Sequence, residues 1–172
     1  AVSAAEVTGE AAVSFYSRYV WRGQVLSEGV VLQPEGTVDV SGFYATVWSN
    51  IEPGSGDSNE VDFIFGRAWE WQGLQLEAGY MMYWIFKYSS TQEVFVSVGH
   101  EGWVSPKVTV YYDFDEGDGA FVQGTLERVW TLPRDVELAT GANMGFTIRH
   151  KVTGTGPDED RQSTRPTSSP VS

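Results

Sequence analysis

The chain has 172 residues, with 23 acidic side chains, 11 lysines and arginines, a formal net charge of −12 and no cysteine. The absence of cysteine excludes disulfide scaffolds, thiolate zinc sites and thiol nucleophiles, and the small number of cations excludes a conventional nucleic-acid-binding surface. The longest apolar run, residues 81–86, is far shorter than the roughly 18 residues of a membrane-spanning helix. Aromatic residues make up 14% of the chain, which is high for an acidic soluble domain.

The segments between residues 11 and 150 alternate apolar and polar residues, and turn-forming clusters separate them at hairpin spacing. Residues 1–10 are predicted to precede the folded domain, and the small residues at their start are compatible with cleavage of an export signal. The polar residues 152–172 have no periodicity and are predicted to be a disordered tail. We therefore assign residues 11–151 to one all-β domain. Its nine predicted strands cover residues 11–22, 30–41, 43–51, 60–71, 74–86, 92–102, 107–115, 120–132 and 136–150.

The orientation of the two strand faces decides the class of protein. Alternation predicts an antiparallel up-and-down β-barrel, but it is equally compatible with a soluble barrel and with one whose apolar face contacts lipid. Strands of about 9–13 residues match a tilted transmembrane strand better than a globular one. Short predicted turns (41–43, 72–73, 132–135) lie at one end of the barrel, and the longer connections 23–29 and 51–59 lie at the other. This asymmetry is typical of an outer-membrane barrel.

Aromatic residues on the apolar face fall near the strand ends. If the N-terminus is periplasmic, they form two bands, as expected for Trp and Tyr at the two membrane interfaces. The predicted aromatic girdles contain Tyr19, Trp21, Trp84 and Tyr112 at the outer ends and Trp69, Trp71, Trp103 and Trp130 at the inner ends.

Two arginines lie on the apolar parity, where a lipid-facing charge at the bilayer midplane costs about 2–4 kcal/mol. Arg67 and Arg128 each precede an inner-end tryptophan by two residues. Either their guanidinium groups reach the headgroup region along the surface, or a β-bulge reverses the local parity.

The N-terminal third of the chain resembles a known family. Residues 15–23 (FYSRYVWRG), followed by Ser27, residues 42–45 (GFYA) and residues 47–50 (VWSN), resemble the opening of the TorF-type porins, a Gram-negative family also known as Gcw_chp. The resemblance covers about residues 10–150 and is most specific in the first 50 residues. It implies an outer-membrane β-barrel with porin activity and no catalytic residues.

The C-terminal part departs from that family pattern. Family members continue with further strands, and bacterial single-chain barrels have an even number of strands. The predicted ninth strand is instead followed by the polar tail. We expect a complete barrel of about 8–12 strands, with the chain truncated after about residue 151 or one strand miscounted.

The polar parity places an excess of acids inside the predicted barrel. An acidic lumen favours cations over anions, whereas a small barrel can also be filled by its side chains, with Arg18 or Arg22 pairing Asp39 or Glu60. Both interpretations stay open, and passage requires more than about eight to ten strands. The charged residues predicted to face the lumen include Arg18, Arg22, Asp39, Glu60, Asp62, Glu77, Glu93 and Glu127.

The sequence offers little support for catalysis or metal binding. His100 and His150 have no apparent serine–acid partners, and the acidic loop 113–119 lacks the ligand order of an EF-hand. We therefore predict no enzyme activity, metal or cofactor. The leading hypothesis is a bacterial outer-membrane porin that contacts lipids and passes small solutes or ions. The alternatives are a filled membrane barrel with a structural or surface role and a soluble ligand-binding barrel.

Overall fold

The computed structural model describes residues 6–54, 57–86, 88–134 and 136–149, with only the backbone at residues 57 and 58. These residues form strands and connections and contain no helix, and therefore none that is long and apolar enough to cross a membrane. The eleven strands of the described chain are β1 (Val7–Tyr16), β2 (Tyr19–Trp21), β3 (Gln24–Ser27), β4 (Val31–Val40), β5 (Phe43–Glu52), β6 (Asp57–Trp71), β7 (Leu74–Ile85), β8 (Thr91–His100), β9 (Ser105–Asp113), β10 (Gly119–Leu132) and β11 (Val136–Ile148).

Nine of these strands form one antiparallel sheet in the order β1-β4-β5-β6-β7-β8-β9-β10-β11. The sheet curves into a half-barrel, with β1 and β11 at its edges. Each strand from β4 onward pairs with its successor, so the connectivity is that of an up-and-down meander. The predicted all-β, antiparallel barrel-type fold is confirmed, and from residue 31 onward the strands lie within a few residues of their predicted bounds.

The first predicted strand, residues 11–22, is wrong at both ends. β1 begins at Val7 and ends at Tyr16, so residues 7–10 belong to the sheet and not to a preceding segment. The chain bends at residues 17 and 18, and β2 and β3 then form a separate two-stranded hairpin. Alternation continues through this bend, which is why periodicity alone extended the strand. The predicted tail, residues 152–172, lies outside the described residues.

The two ends of the half-barrel differ in their connections. At one end, the short-turn end, Ser41–Gly42 and Gln72–Gly73 close two-residue hairpins. All four residues have positive φ, between 53° and 87°, as a type I′ turn requires. At the opposite end, the loop end, lie the β2–β3 hairpin and the connection between β5 and β6. The predicted long connections are wrong in part, because residues 24–27 of the first form β3 and, in the second, β5 and β6 stay paired as far as Glu52 and Asp57.

The two faces of the sheet have reversed chemistry compared with a water-soluble barrel. The convex face carries exposed apolar side chains such as Phe65, Val96 and Val110. The concave face carries buried polar pairs, such as Gln33–Asn50 at 2.9 Å and Ser97–Thr109, also at 2.9 Å. Buried polar side chains outnumber buried apolar ones among the described residues.

Glycines on the concave face accommodate aromatic rings from adjacent strands. The ring of Tyr44 lies over Gly66, that of Phe95 over Gly79 and that of Phe121 over Gly145. A Cβ atom on Gly79 would lie 2.6 Å from the Phe65 carbonyl oxygen and 2.6 Å from Phe95 Cζ. The small residues on this face therefore have a packing role.

Replacement of Gly79 with alanine is expected to destabilise the protein by about 1–3 kcal/mol, because the added methyl group overpacks the site. Urea unfolding in detergent micelles, followed by tryptophan fluorescence, would measure the change. Gly124→Ala is the matched control, since a Cβ atom at Gly124 meets nothing within 4 Å. Equal losses in the two variants would contradict the packing role.

Candidate functional site

The β2–β3 hairpin lies against the concave face at the loop end. Tyr19 is buried, and its ring centroid lies 5.6 Å from that of Trp48 on β5. The ring of Trp21 meets Tyr83 on β7 edge-on, with centroids 5.8 Å apart. These contacts fold the hairpin inward over the strands, so it partly fills the concave side.

Arg22 is at the tip of this hairpin, in the two-residue turn that joins β2 to β3. Arg22 and Gly23 have φ values of 48° and 84°. The Arg22 guanidinium donates two hydrogen bonds to the Glu93 carboxylate on β8, Nη1 to Oε1 at 2.6 Å and Nη2 to Oε2 at 2.7 Å. The exposed fractions of the two side chains are 8% and 0%. This is a buried, bidentate ion pair between residues distant in sequence.

The strands around Glu93 complete the environment of the guanidinium. The Tyr83 hydroxyl donates to Glu93 Oε2 at 2.9 Å. Arg22 Cζ lies 4.6 Å from the ring centroids of both Tyr111 on β9 and Phe121 on β10. We call Glu93, Tyr83, Tyr111 and Phe121 the guanidinium pocket. Burial by itself lowers the pKa of Arg22, but the hydrogen bonds and charge of Glu93 outweigh it, so the pKa lies above its ordinary value.

Further buried acids surround the guanidinium pocket. Glu60 and Asp62 on β6 and Asp113 on β9 are all buried. Asp113 accepts a hydrogen bond from Thr91 Oγ1 at 2.7 Å, whereas buried Asp62 Oδ1 accepts none within the described chain. The loop end of the concave face is therefore acidic. No group of three or more His, Asp and Glu residues in the described ranges is arranged to hold a metal ion.

The concave face is more open beyond the hairpin. A cavity of about 300 Å³ is lined by residues that include Tyr44, Glu77 and Lys107. Glu77 accepts a hydrogen bond from the Tyr44 hydroxyl and pairs with Lys107 Nζ at 3.3 Å. The Lys107 and Glu77 side chains are 50% and 25% exposed, so this ion pair is much better solvated than Arg22–Glu93.

The predicted lumen residues have different locations in the structure. Glu60, Asp62, Glu77 and Glu93 lie on the concave face, as does Asp39, whose Oδ1 accepts a hydrogen bond from the Gly42 amide at 3.0 Å. Glu127 has the same parity but is exposed on β10. Arg18 is exposed in the bend after β1 instead of facing inward from a strand.

The hairpin carries the Arg22 guanidinium across the sheet to Glu93, a partner that the sequence analysis did not name.

The predicted girdle residues also divide into two groups. Tyr19 and Trp21 lie over the concave face, because the chain leaves the sheet at residue 17, so their assignment to the outer band is wrong. The six remaining side chains are exposed, at the two ends of the half-barrel. Trp84 and Tyr112 lie toward the loop end, and Trp69, Trp71, Trp103 and Trp130 lie toward the short-turn end.

Arg67 and Arg128 stay on the convex side. Arg67 Cζ lies 4.7 Å from the Phe43 ring centroid, and Arg128 Cζ lies 3.7 Å and 3.4 Å from the rings of Trp103 and Trp130. The strand register is continuous at both arginines, so the bulge alternative is wrong. Each cation packs against aromatic rings near the short-turn end.

Of the two histidines considered as catalysts, the structure describes His100. His100 is exposed, and its Nδ1 lies 2.9 Å from the carbonyl oxygen of Gly73. His150 lies outside the described residues.

Comparison of the chain with protein-family models, curated proteins and solved structures finds no match. The resemblance to the TorF-type porins stays a prediction.

Sequence reasoning missed the guanidinium pocket, because Tyr83, Tyr111 and Phe121 are distributed over three strands and carry no local motif. One signal was available: the pair Arg22–Gly23 favours a turn at the position where alternation extended the first strand.

Proposed function

We propose that the protein is a bacterial outer-membrane β-barrel that admits small solutes through an acidic, cation-favouring lumen. The observation that supports this most is the reversed chemistry of the two sheet faces. A convex face with exposed Phe65, Val96 and Val110 is unfavourable in water, since large contiguous apolar surfaces mark contact with a membrane or a partner. Contact with lipid stabilises the apolar convex face, and water in the lumen hydrates the polar concave face.

The dimensions and the ends of the sheet support the same proposal. Its strands have 9 to 15 residues, enough for tilted strands to cross a hydrocarbon core of about 30 Å. The exposed tryptophans and Tyr112 lie toward the two ends, where interfacial aromatic residues are stabilised. The resemblance of residues 15–50 to the TorF-type porins points to the same location and activity.

Selectivity for cations is proposed from the charges of the concave face. Glu60, Asp62, Glu93 and Asp113 are buried near the loop end, together with Arg22. An excess of carboxylates along a pore raises the local concentration of cations and lowers that of anions.

A second candidate function is a filled membrane barrel with a structural or surface-interaction role. The β2–β3 hairpin supports it, because the hairpin occupies the concave face at the loop end and is held there by a buried ion pair. A hairpin in this position blocks the movement of solutes, unless it moves or the barrel is wide enough to leave a path beside it.

Planar-bilayer recording of the protein, purified in detergent, distinguishes these functions. The porin proposal predicts stepwise conductance and a reversal potential in a KCl gradient that favours K⁺ over Cl⁻. A folded, heat-modifiable protein without conductance would support the filled barrel, and anion preference would contradict the acidic lumen. Stable solubility without detergent would contradict both membrane functions.

A further inference from the structure

The residues of the guanidinium pocket belong to the barrel wall and not to the hairpin. Its four residues come from consecutive strands β7 to β10, and the strand register pairs Tyr111 with both Phe95 and Phe121. Tyr83 holds the Glu93 carboxylate through its hydroxyl. The wall therefore presents an oriented carboxylate flanked by aromatic faces, and Arg22 is the group that occupies it.

The backbone conformation at the hairpin tip disfavours an arginine such as Arg22. Both positions of a type I′ turn have positive φ and favour Asn, Asp or Gly, and a left-handed conformation costs a residue such as Arg about 1–2 kcal/mol. Arg22 occupies the first position with φ 48°, as Ser41 and Gln72 do in the two short-turn hairpins. At the tip of the β2–β3 hairpin, the contacts of Arg22 with Glu93 and the aromatic rings offset this cost.

We propose that the guanidinium pocket is a recognition site for solutes that carry a guanidinium group, and that Arg22 is a tethered ligand that occupies it and restricts the lumen. The inference rests on the proposed function, because it names a solute class and a closing device for that same lumen. A solute of this class competes with Arg22 for Glu93, and displacement of Arg22 releases the hairpin from the wall.

The contacts select this solute class by shape and charge. Two parallel N–H groups of a planar cation match the two oxygens of Glu93, as Arg22 does at 2.6 and 2.7 Å. The faces of Tyr111 and Phe121 attract the delocalised cation. An ammonium group lacks the planar fork and is a more strongly hydrated point charge, so it binds more weakly. An anion is repelled by Glu93.

Methylguanidinium chloride is a suitable probe, tested by isothermal titration calorimetry on detergent-purified protein. Arg22→Gln empties the pocket and is expected to bind methylguanidinium at least about tenfold more tightly than the wild type, since the tethered competitor is removed. Methylammonium is expected to bind this variant less tightly. Lys107→Gln removes the same charge from the concave face and is expected to behave like the wild type.

The same variants are then recorded in planar bilayers. Arg22→Gln is expected to conduct several-fold more than the wild type, and methylguanidinium is expected to block this added conductance. Glu93→Gln, which retains Arg22 but loses its carboxylate partner, is expected to conduct more without gaining methylguanidinium binding. This second variant tests the closing device even if Arg22→Gln does not fold.

The outcomes separate the inference from the porin proposal. Saturable, Arg22-sensitive binding without conductance in any variant supports the wall site and contradicts the porin. Conductance in all variants with no gain of binding in folded Arg22→Gln overturns the recognition site and leaves the porin proposal intact. Unchanged conductance in both Arg22→Gln and Glu93→Gln, measured beside a conducting wild type, overturns the closing device.

Discussion

Replacement of Glu93 with glutamine is expected to release the β2–β3 hairpin from the concave face. The Arg22 and Glu93 side chains are 8% and 0% exposed, and removal of one partner from a buried ion pair costs about 3–5 kcal/mol, because the remaining charge is left uncompensated. The reaction of Arg22 with phenylglyoxal, followed by peptide mass spectrometry, should accelerate by about 100-fold or more, since 1.4 kcal/mol corresponds to a factor of ten.

Two internal comparisons make this measurement specific. Arg18 lies four residues earlier and is exposed, so it should react readily in the wild type and in the variant. Lys107→Gln breaks the solvated pair with Glu77, which contributes about 0–1 kcal/mol, and it should leave Arg22 protected. Equal reactivity of Arg22 and Arg18 in the wild-type protein would contradict the buried position of the hairpin.

An arginine in place of Val96 is expected to destabilise the protein in lipid vesicles by about 2–4 kcal/mol, the cost of a charge on the lipid face near the bilayer midplane. Val96 is the sixth of ten residues in β8, between Ala78 and Val110 on the neighbouring strands, and is 56% exposed. Urea unfolding in vesicles, followed by tryptophan fluorescence, measures this loss.

The size of the Val96→Arg effect discriminates between lipid and water at the convex face. In water, a substitution at an exposed position usually changes stability by less than about 0.5 kcal/mol. Leu132→Arg provides the depth control, because Leu132 is 42% exposed at the short-turn end of β10; near an interface the expected cost falls to about 0–1 kcal/mol. Equal stability of Val96→Arg and the wild type would contradict a lipid-facing surface.

Several structural features could be predicted from local patterns. Alternation along β6 and β8 predicted that Glu60, Asp62 and Glu93 lie on one face, because the side-chain period of a strand is two residues. The pairs Ser41–Gly42 and Gln72–Gly73 marked two tight turns, since glycine readily adopts the positive φ that they require. The apolar parity of Arg67 and Arg128 placed both side chains on the convex face, where each lies against the tryptophan two residues later.

The first predicted strand shows where local patterns fail to predict the fold. Residues 13–21 keep an apolar parity across the bend at residues 17 and 18, so periodicity could not detect that the chain leaves the sheet. Tyr19 and Trp21 were consequently assigned to the outer surface, whereas the inward hairpin places them against Trp48 and Tyr83. A bend that preserves alternation reverses the environment of a side chain without changing its sequence pattern.

Local sequence patterns were therefore enough to predict a two-faced antiparallel sheet, its turns and most of its strand bounds, because these features depend on neighbours within a few residues. The curvature of the sheet, the inward position of the hairpin and the pairing of Arg22 with Glu93 depend on contacts between distant parts of the chain. The two residues are 71 positions apart, and their pairing depends on the packing of strands β7 to β10 around them. The physical reason is that burial and aromatic contacts select this partner among several acids of the same parity.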